Sequence, residues 1–298
     1  MKTRFIAYAV VLFMLLTGIF YACTKQGSSA NNIQANQQKV SLYLTDGPGF
    51  FDSVFIDINT VTVIVDTCQR DNIGPFGDDH GDDHHDGDHH GDDNFDTACS
   101  ISDTLNFNAG VYNLAGLRNG IDTILASGNI PKGRVRRIIV TLGPNNYLVK
   151  NGVKYPLNTF SDTDTRIVIK LFGDEFQTSS SNINDLWLDF DVERSIIRLW
   201  DGKFYLRPVI RIFAEERTAT ISGDVIPQDA FPVISVFSGQ DTLYALPNDD
   251  GRFMVRGLPT GTYSVFINSS NGYSDTTINH VNVTVGTNTD IGTIELHK

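Results

Sequence analysis

His80, His84, His85, His89 and His90 crowd into one stretch of the chain, interleaved with Asp82, Asp86, Asp88 and Asp93. Five of the seven histidines fall there. Neutral imidazole beside carboxylate suits zinc, nickel or copper, whereas carboxylates and carbonyls alone suit calcium. One register, Asp82, His84, Asp86 and Gly87 with Asp93 in twelfth place, resembles a calcium loop. It sets a histidine where calcium takes oxygen, so zinc, nickel or copper is expected ahead of calcium. Protons compete for histidine, so affinity should fall in acid. The plainer reading is a solvated, low-complexity insert that holds ions loosely. On either reading the fold needs no cofactor.

A second group of residues points to a different ligand. Leu186, Leu188, Phe190 and Val192 alternate with Trp187, Asp189, Asp191 and Glu193, the period of a half-buried strand. A two-residue turn at Asp201-Gly202 is expected to set Trp200 opposite Lys203 and Arg198 opposite Tyr205, with Arg207 on the same face. An aromatic beside carboxylates and arginines can stack on a sugar ring while the polar groups bind its hydroxyls. Trp187, Trp200, Tyr205, Arg198 and Arg207 are therefore the candidate glycan-binding residues. The blander reading, which we favour, is a sheet whose outer aromatics pack against a loop or a second domain.

Catalysis finds little support. Outside the Asp/His run only His280 and His297 remain, the latter next to the C-terminus. No glycine-rich phosphate loop precedes a helix. Asp189 and Asp191 have glycosidase-like spacing, but neighbouring same-face strand positions meet that spacing by default. The expectation is a protein that is not an enzyme.

The elements around these residues start with an apolar stretch, residues 5–22, preceded by Lys2 and Arg4 and ending at Cys23. Charged start, apolar middle and small residue before a cut are the layout of a secretory signal. The other reading is a single membrane anchor near the shortest workable length. Residues 24–38 are rich in Ser, Asn and Gln and read as a flexible tether. The net charge of −12 is uneven: residues 71–96 hold ten Asp and no Lys, Arg or Glu, leaving 25 acids against 23 bases elsewhere. A nearly neutral body argues against nucleic acid as a partner. Cys68 and Cys99 flank this acidic stretch, and in an exported chain such a pair is expected to form a disulfide. Two separate buried thiols are the alternative.

From Lys39 the pattern is β almost throughout. Val40, Leu42 and Leu44 alternate with Ser41, Tyr43 and Thr45. Residues 54–65 are a Val/Ile/Thr run, and residues 134–142 and 166–172 read as further strands. Asn151-Gly152 marks another hairpin. Only residues 116–128 read as helical, and weakly. Short strands separated by Gly, Asn, Asp and Pro predict an all-β protein of two β-sandwich domains. The expected organisation is a signal over residues 1–22, a tether over 23–38, a first sandwich over 39–214 with its insert at 70–97, and a second over 217–298.

Three resemblances sharpen this. Phe20-Tyr21-Ala22-Cys23 resembles the lipobox of bacterial lipoproteins, with bulkier residues than usual at the first two places. It implies that Cys23 becomes the lipidated first residue of a protein fastened to a membrane in a Gram-negative cell envelope, the outer membrane by expectation. Residues 39–213 resemble an uncharacterised bacterial lipoprotein domain, DUF4382-like. The resemblance rests on residues 40–44 with Thr45-Asp46-Gly47-Pro48, Ile130-Pro131-Lys132-Gly133-Arg134, Leu188-Asp189-Phe190-Asp191 and Leu206-Arg207-Pro208-Val209-Ile210. It transfers no activity. Residues 217–298 resemble the carboxypeptidase regulatory-like, transthyretin-type sandwich through Ile221-Ser222-Gly223, Asp250-Gly251-Arg252-Phe253 and Gly257-Leu258-Pro259-Thr260-Gly261-Thr262-Tyr263. That family implies a non-catalytic spacer, stabiliser or binding module. The reading that follows is a non-catalytic envelope lipoprotein that binds divalent metal through its Asp/His loop, or else a glycan-binding accessory. Envelope proteins or glycans are its expected partners.

Overall fold

The computed structural model describes residues 33–47, 49–68, 99–160, 165–171 and 182–298. Cys23 and the signal, most of the tether, and the Asp/His insert with His80 to Asp93 lie outside the described residues. Residues 36–298 form one compact unit. It is all-β, as the alternation predicts.

The first sandwich is built from β1 (Gln37–Asp46), β2 (Ser53–Asp66), β3 (Ser100–Thr104), β4 (Asn106–Phe107), β5 (Gly110–Asn113), β6 (Thr123–Pro131) and β7 (Arg134–Leu142). It continues through β8 (Tyr147–Lys150), β9 (Val153–Thr159), β10 (Arg166–Lys170), β11 (Ile183–Phe190), a one-turn helix α1 (Val192–Ser195), β12 (Ile196–Arg198), β13 (Phe204–Leu206) and β14 (Ile210–Phe213). One sheet has the order β14-β11-β1-β6-β4. The other runs β10-β7-β2-β8-β9-β13-β12, with β3 and β5 also on β2.

Alternation decides which side chains enter the core. Val40, Leu42 and Leu44 of β1 and Val54, Ile56 and Ile58 of β2 belong to one buried cluster. β2 shows how a long strand keeps its apolar face inward. Its buried apolar positions run 54, 56, 58, then 61, 63, 65, and the phase flips at exposed Asn59 and Thr60. The ladder to β7 shifts register at that place, which is the work of a β-bulge. Residues 116–128, read as helical, are not a helix. A single 3-10 turn covers Leu114–Gly116, and from Thr123 the chain is strand β6, because pairing with β1 outweighs a weak local preference.

The second sandwich has seven strands: β15 (Ala219–Ile226), β16 (Val233–Ser238), β17 (Asp241–Ala245), β18 (Arg252–Leu258), β19 (Gly261–Asn268), β20 (Thr276–Val283) and β21 (Asn288–Glu295). Three of them, β18-β15-β21, stack on four, β17-β16-β19-β20. Phe253, Val255 and Leu258 are buried in its separate core. The Tyr263 hydroxyl donates to the Pro259 carbonyl at 3.0 Å, closing the β18–β19 corner. Among the described residues no helix is long and apolar enough to cross a membrane.

Candidate inter-sandwich cleft

β1 and β11 are parallel, so both deliver their C-terminal residues to the same sheet edge. The register sets Thr45 beside Asp189 and Asp46 beside Phe190. Three carboxylates, Asp46, Asp189 and Asp191, therefore gather where the second sandwich docks. They line a cleft of about 390 Å³. Its opposite wall is apolar and comes from the second sandwich: Val233, Leu243, Tyr244, Leu246 and Met254.

Most charges around the cleft are committed to one another. Asp189 accepts from Arg211 on neighbouring β14 at 2.7 Å, and the same guanidinium donates to the backbone carbonyls of Arg256 and Gly257 at 2.9 and 3.3 Å. Asp191 caps α1, accepting from the Arg194 amide at 2.9 Å and from its guanidinium at 2.6 Å. Arg256 reaches back from β18 to Asp122 at 2.9 Å, Glu215 at 2.8 Å and the Thr45 hydroxyl at 3.0 Å. Asn119 adds a neutral tie, donating to the Leu246 carbonyl at 2.9 Å. Gly257 lets β18 come this close: its φ is +75°, and a Cβ there would sit 2.9 Å from the Phe213 ring.

Asp46 is the exception. It is 7% exposed, and its Oδ1 is the only buried side-chain N or O atom without a hydrogen-bond partner among the described residues. Burial pushes its carboxyl well above the usual carboxylate range, and the charges of Asp189 and Asp191 push the same way against a smaller opposing pull from Arg118.

The residues singled out for glycan binding do not share a face. Trp187 lies on β11, in the five-stranded sheet, half-buried between Tyr43 at 4.7 Å and Phe213 at 6.0 Å, and donates its indole N–H to Asp122 at 2.8 Å. Trp200, Arg198, Tyr205 and Arg207 belong to the β12–β13 region of the other sheet. The hairpin register also differs from the sequence expectation. Arg198 pairs with Phe204, and Ile197 with Tyr205. Leu199 and Lys203 close a three-residue loop, Trp200-Asp201-Gly202, so the turn holds one residue more than the Asp-Gly signal implied. Trp200 stands at its tip, 97% exposed. Tyr205 stacks on Phe160 at 5.0 Å.

Cys68 and Cys99 form a disulfide. Among the described residues no group of three His, Cys, Asp or Glu is placed to hold a metal ion. The Asp/His run is not among those residues. Sequence reasoning found Asp189 and Asp191 but not their partners Arg211 and Arg194, and it passed over Asp46 as a binding group. The signal for Asp46 was a charged residue closing the apolar alternation of β1.

A family model described as a domain of unknown function, DUF4382, matches residues 37–208. No curated protein matches. Among solved structures, similarity is found to the TIE protein of Bacillus anthracis, at 9% identity and TM-score 0.22, covering 88% of this chain and 35% of that one. The chain thus spans about a third of that protein's length. The minor pilin GBS52 of Streptococcus agalactiae gives 13% identity and TM-score 0.21, covering 87% of this chain and 95% of the pilin. A streptococcal ancillary pilin gives 14% identity and TM-score 0.21, with coverages of 87% and 69%.

Proposed function

We propose, for a chain that belongs to the DUF4382 family of domains of unknown function, a non-catalytic structural or binding role in the cell envelope, carried out by two sandwiches held as one body. The observation that carries this is the use made of the charges at the junction. Arg211 and Arg256 tie the sandwiches together rather than pointing at a reacting centre. A body built this way suits a lipoprotein that presents a fixed surface at a membrane. The three-on-four strand arrangement of residues 217–298 supports reading them as a carboxypeptidase regulatory-like module.

Anchoring through lipid on Cys23, at the outer membrane of a Gram-negative bacterium, belongs to the same reading. Two or more acyl chains hold a protein stably on a bilayer, where one chain is marginal. Metabolic labelling with an alkyne fatty acid tests it. The full chain should label, and Cys23→Ser should abolish the label. An unlabelled wild-type protein with its leader intact would end the envelope reading.

Divalent metal held by the Asp/His insert is the finer form of the binding role, with zinc, nickel or copper ahead of calcium. Titration calorimetry with zinc and with nickel, on the full chain and on a deletion of residues 70–97, decides it: equal binding by both removes the insert from consideration. The glycan reading now rests on the Trp200 tip and its exposure. A glycan-array signal that survives Trp200→Ala would dispose of it.

A further inference from the structure

The cleft between the sandwiches is lined with carboxylates on one side and apolar residues on the other, and one carboxylate has an unanswered oxygen. We propose that this cleft is a binding site for a small organic cation, a primary amine carried on an apolar body, with its ammonium at Asp46 and its body against Tyr244, Leu246 and Met254. The site goes beyond the envelope role and does not depend on it: a failed lipid-labelling experiment would leave it untouched.

Three observations carry the inference. The volume, about 390 Å³, is that of a small-molecule site, and the surface it presents is mostly apolar. The sign of the free charge is fixed. Arg194, Arg211 and Arg256 are each paired with a carboxylate, and Glu193 accepts from the Phe50 amide, whereas Asp46 Oδ1 has no donor. A buried acceptor without a donor is unfavourable, so a ligand that brings a donor gains from a defect already present. The carboxyl torsion is broad and soft, so Asp46 can turn Oδ1 toward a donor in the cleft. An anionic ligand would meet Asp46, Asp189 and Asp191 with no unpaired arginine among the lining residues to receive it. A neutral alcohol could supply the hydrogen bond but brings no positive charge to Asp46, the one of the three aspartates without an arginine of its own.

The charge coupling gives the inference a pH signature. The groups acting on Asp46 are Asp189 on β11, Arg118 in the turn before β6, Asp191 at the cap of α1, and the Val192 backbone amide, which hydrogen-bonds to the carboxyl and favours its ionised form. Glu193 and Arg194 from α1, Arg211 from β14 and Arg256 from β18 complete the charged lining. An ammonium favours the ionised form of Asp46, so binding releases its proton. Affinity should therefore rise as pH rises through the elevated range of that carboxyl, while the amine stays protonated.

The experiment is calorimetry on the full chain in detergent with 2-phenylethylamine, 2-phenylethanol and phenylacetate. The amine should bind about tenfold or more tighter than the alcohol, a difference of about 1.4 kcal/mol, with phenylacetate weakest. Asp46→Asn should bring amine and alcohol to equal affinity, and Tyr244→Ala should weaken both alike. Equal binding of amine and alcohol to the wild type, or no amine binding at millimolar concentration, overturns the proposal. So does a preference that survives Asp46→Asn. Should that variant fail to fold, the wild-type pH profile decides: amine affinity that does not rise with pH overturns the proposal equally.

Discussion

Trp187 and Arg256 converge on a single oxygen. The indole N–H reaches Asp122 Oδ2 at 2.8 Å from the first sandwich, and the guanidinium reaches it at 2.9 Å from the second. Asp122 is thus a joint between two cores, and Trp187 is a structural residue tied to Asp122 and stacked between Tyr43 and Phe213 rather than a platform open to solvent.

Removing Arg256 should loosen the junction. Its side chain is 10% exposed and answers Asp122, Glu215 and Thr45. Hydrogen bonds to charged groups contribute about 1.5–3 kcal/mol, and Glu215 is exposed enough that its share is small. Arg256→Met is expected to destabilise by about 2–3 kcal/mol. It should also split one denaturation transition into two, as each sandwich unfolds on its own core. A single transition at the wild-type midpoint would contradict the joint.

The two tryptophans should behave as opposites. Trp187→Ala empties a stack between Tyr43 and Phe213 and removes one of the two donors to Asp122, so about 3–5 kcal/mol should be lost. Trp200→Ala, at a hairpin tip, should stay within about 0.5 kcal/mol of wild type. Urea melts measure both, and acrylamide should quench one tryptophan freely and the other poorly.

Asp46 should make stability fall as pH rises. Its carboxyl is pushed up by burial, so above the ordinary carboxylate range the native state holds a proton that the unfolded chain has lost. The stabilisation is complete below the unfolded value and disappears as pH climbs through the raised one. Melting temperatures of wild type and Asp46→Asn should therefore agree in acid and diverge toward alkaline pH, with the variant higher. Parallel curves would remove Asp46 as the source.

Reduction should be felt next to the crosslink. The Cys68–Cys99 bond spans a sequence separation of 31, and in the chain-entropy model opening it lowers stability by about 3.5 kcal/mol. Thr67 also binds the Cys99 carbonyl through its amide and its hydroxyl, both at 3.0 Å. Cys68→Ser with Cys99→Ser should speed hydrogen exchange in β3 more than in the second sandwich. Uniform change, or none, would count against a local role.

Much of the strand pattern was legible from side-chain alternation. The 134–142 run is β7 residue for residue, and the buried Leu186, Leu188 and Phe190 fall on the expected face of β11, which ends there, Val192 being buried from α1 instead. The Asn151-Gly152 turn joins β8 to β9 as read. What the sequence hid were partners brought together by topology. Asp122 and Trp187 are 65 residues apart, and Arg256 is 134 from Asp122. No periodicity encodes such a meeting. It follows from β1 and β11 running parallel and from β18 docking on their shared edge. The three-residue loop at Trp200 was missed because Asp-Gly is a strong signal for a shorter turn.

The crosslinked cysteines also have a bearing on how freely this chain can change. Their Cα atoms lie 5.4 Å apart, and β2 and β3 begin pairing at Asp66 and Ser100, so the backbone departs and returns at one doorway. Closure entropy grows only slowly with length, so a longer, shorter or wholly different sequence can be spliced between those two points with little strain on the strands behind. The same scaffold could thus carry interchangeable cargo, and residues 69–98 mark the natural place to graft a peptide for display.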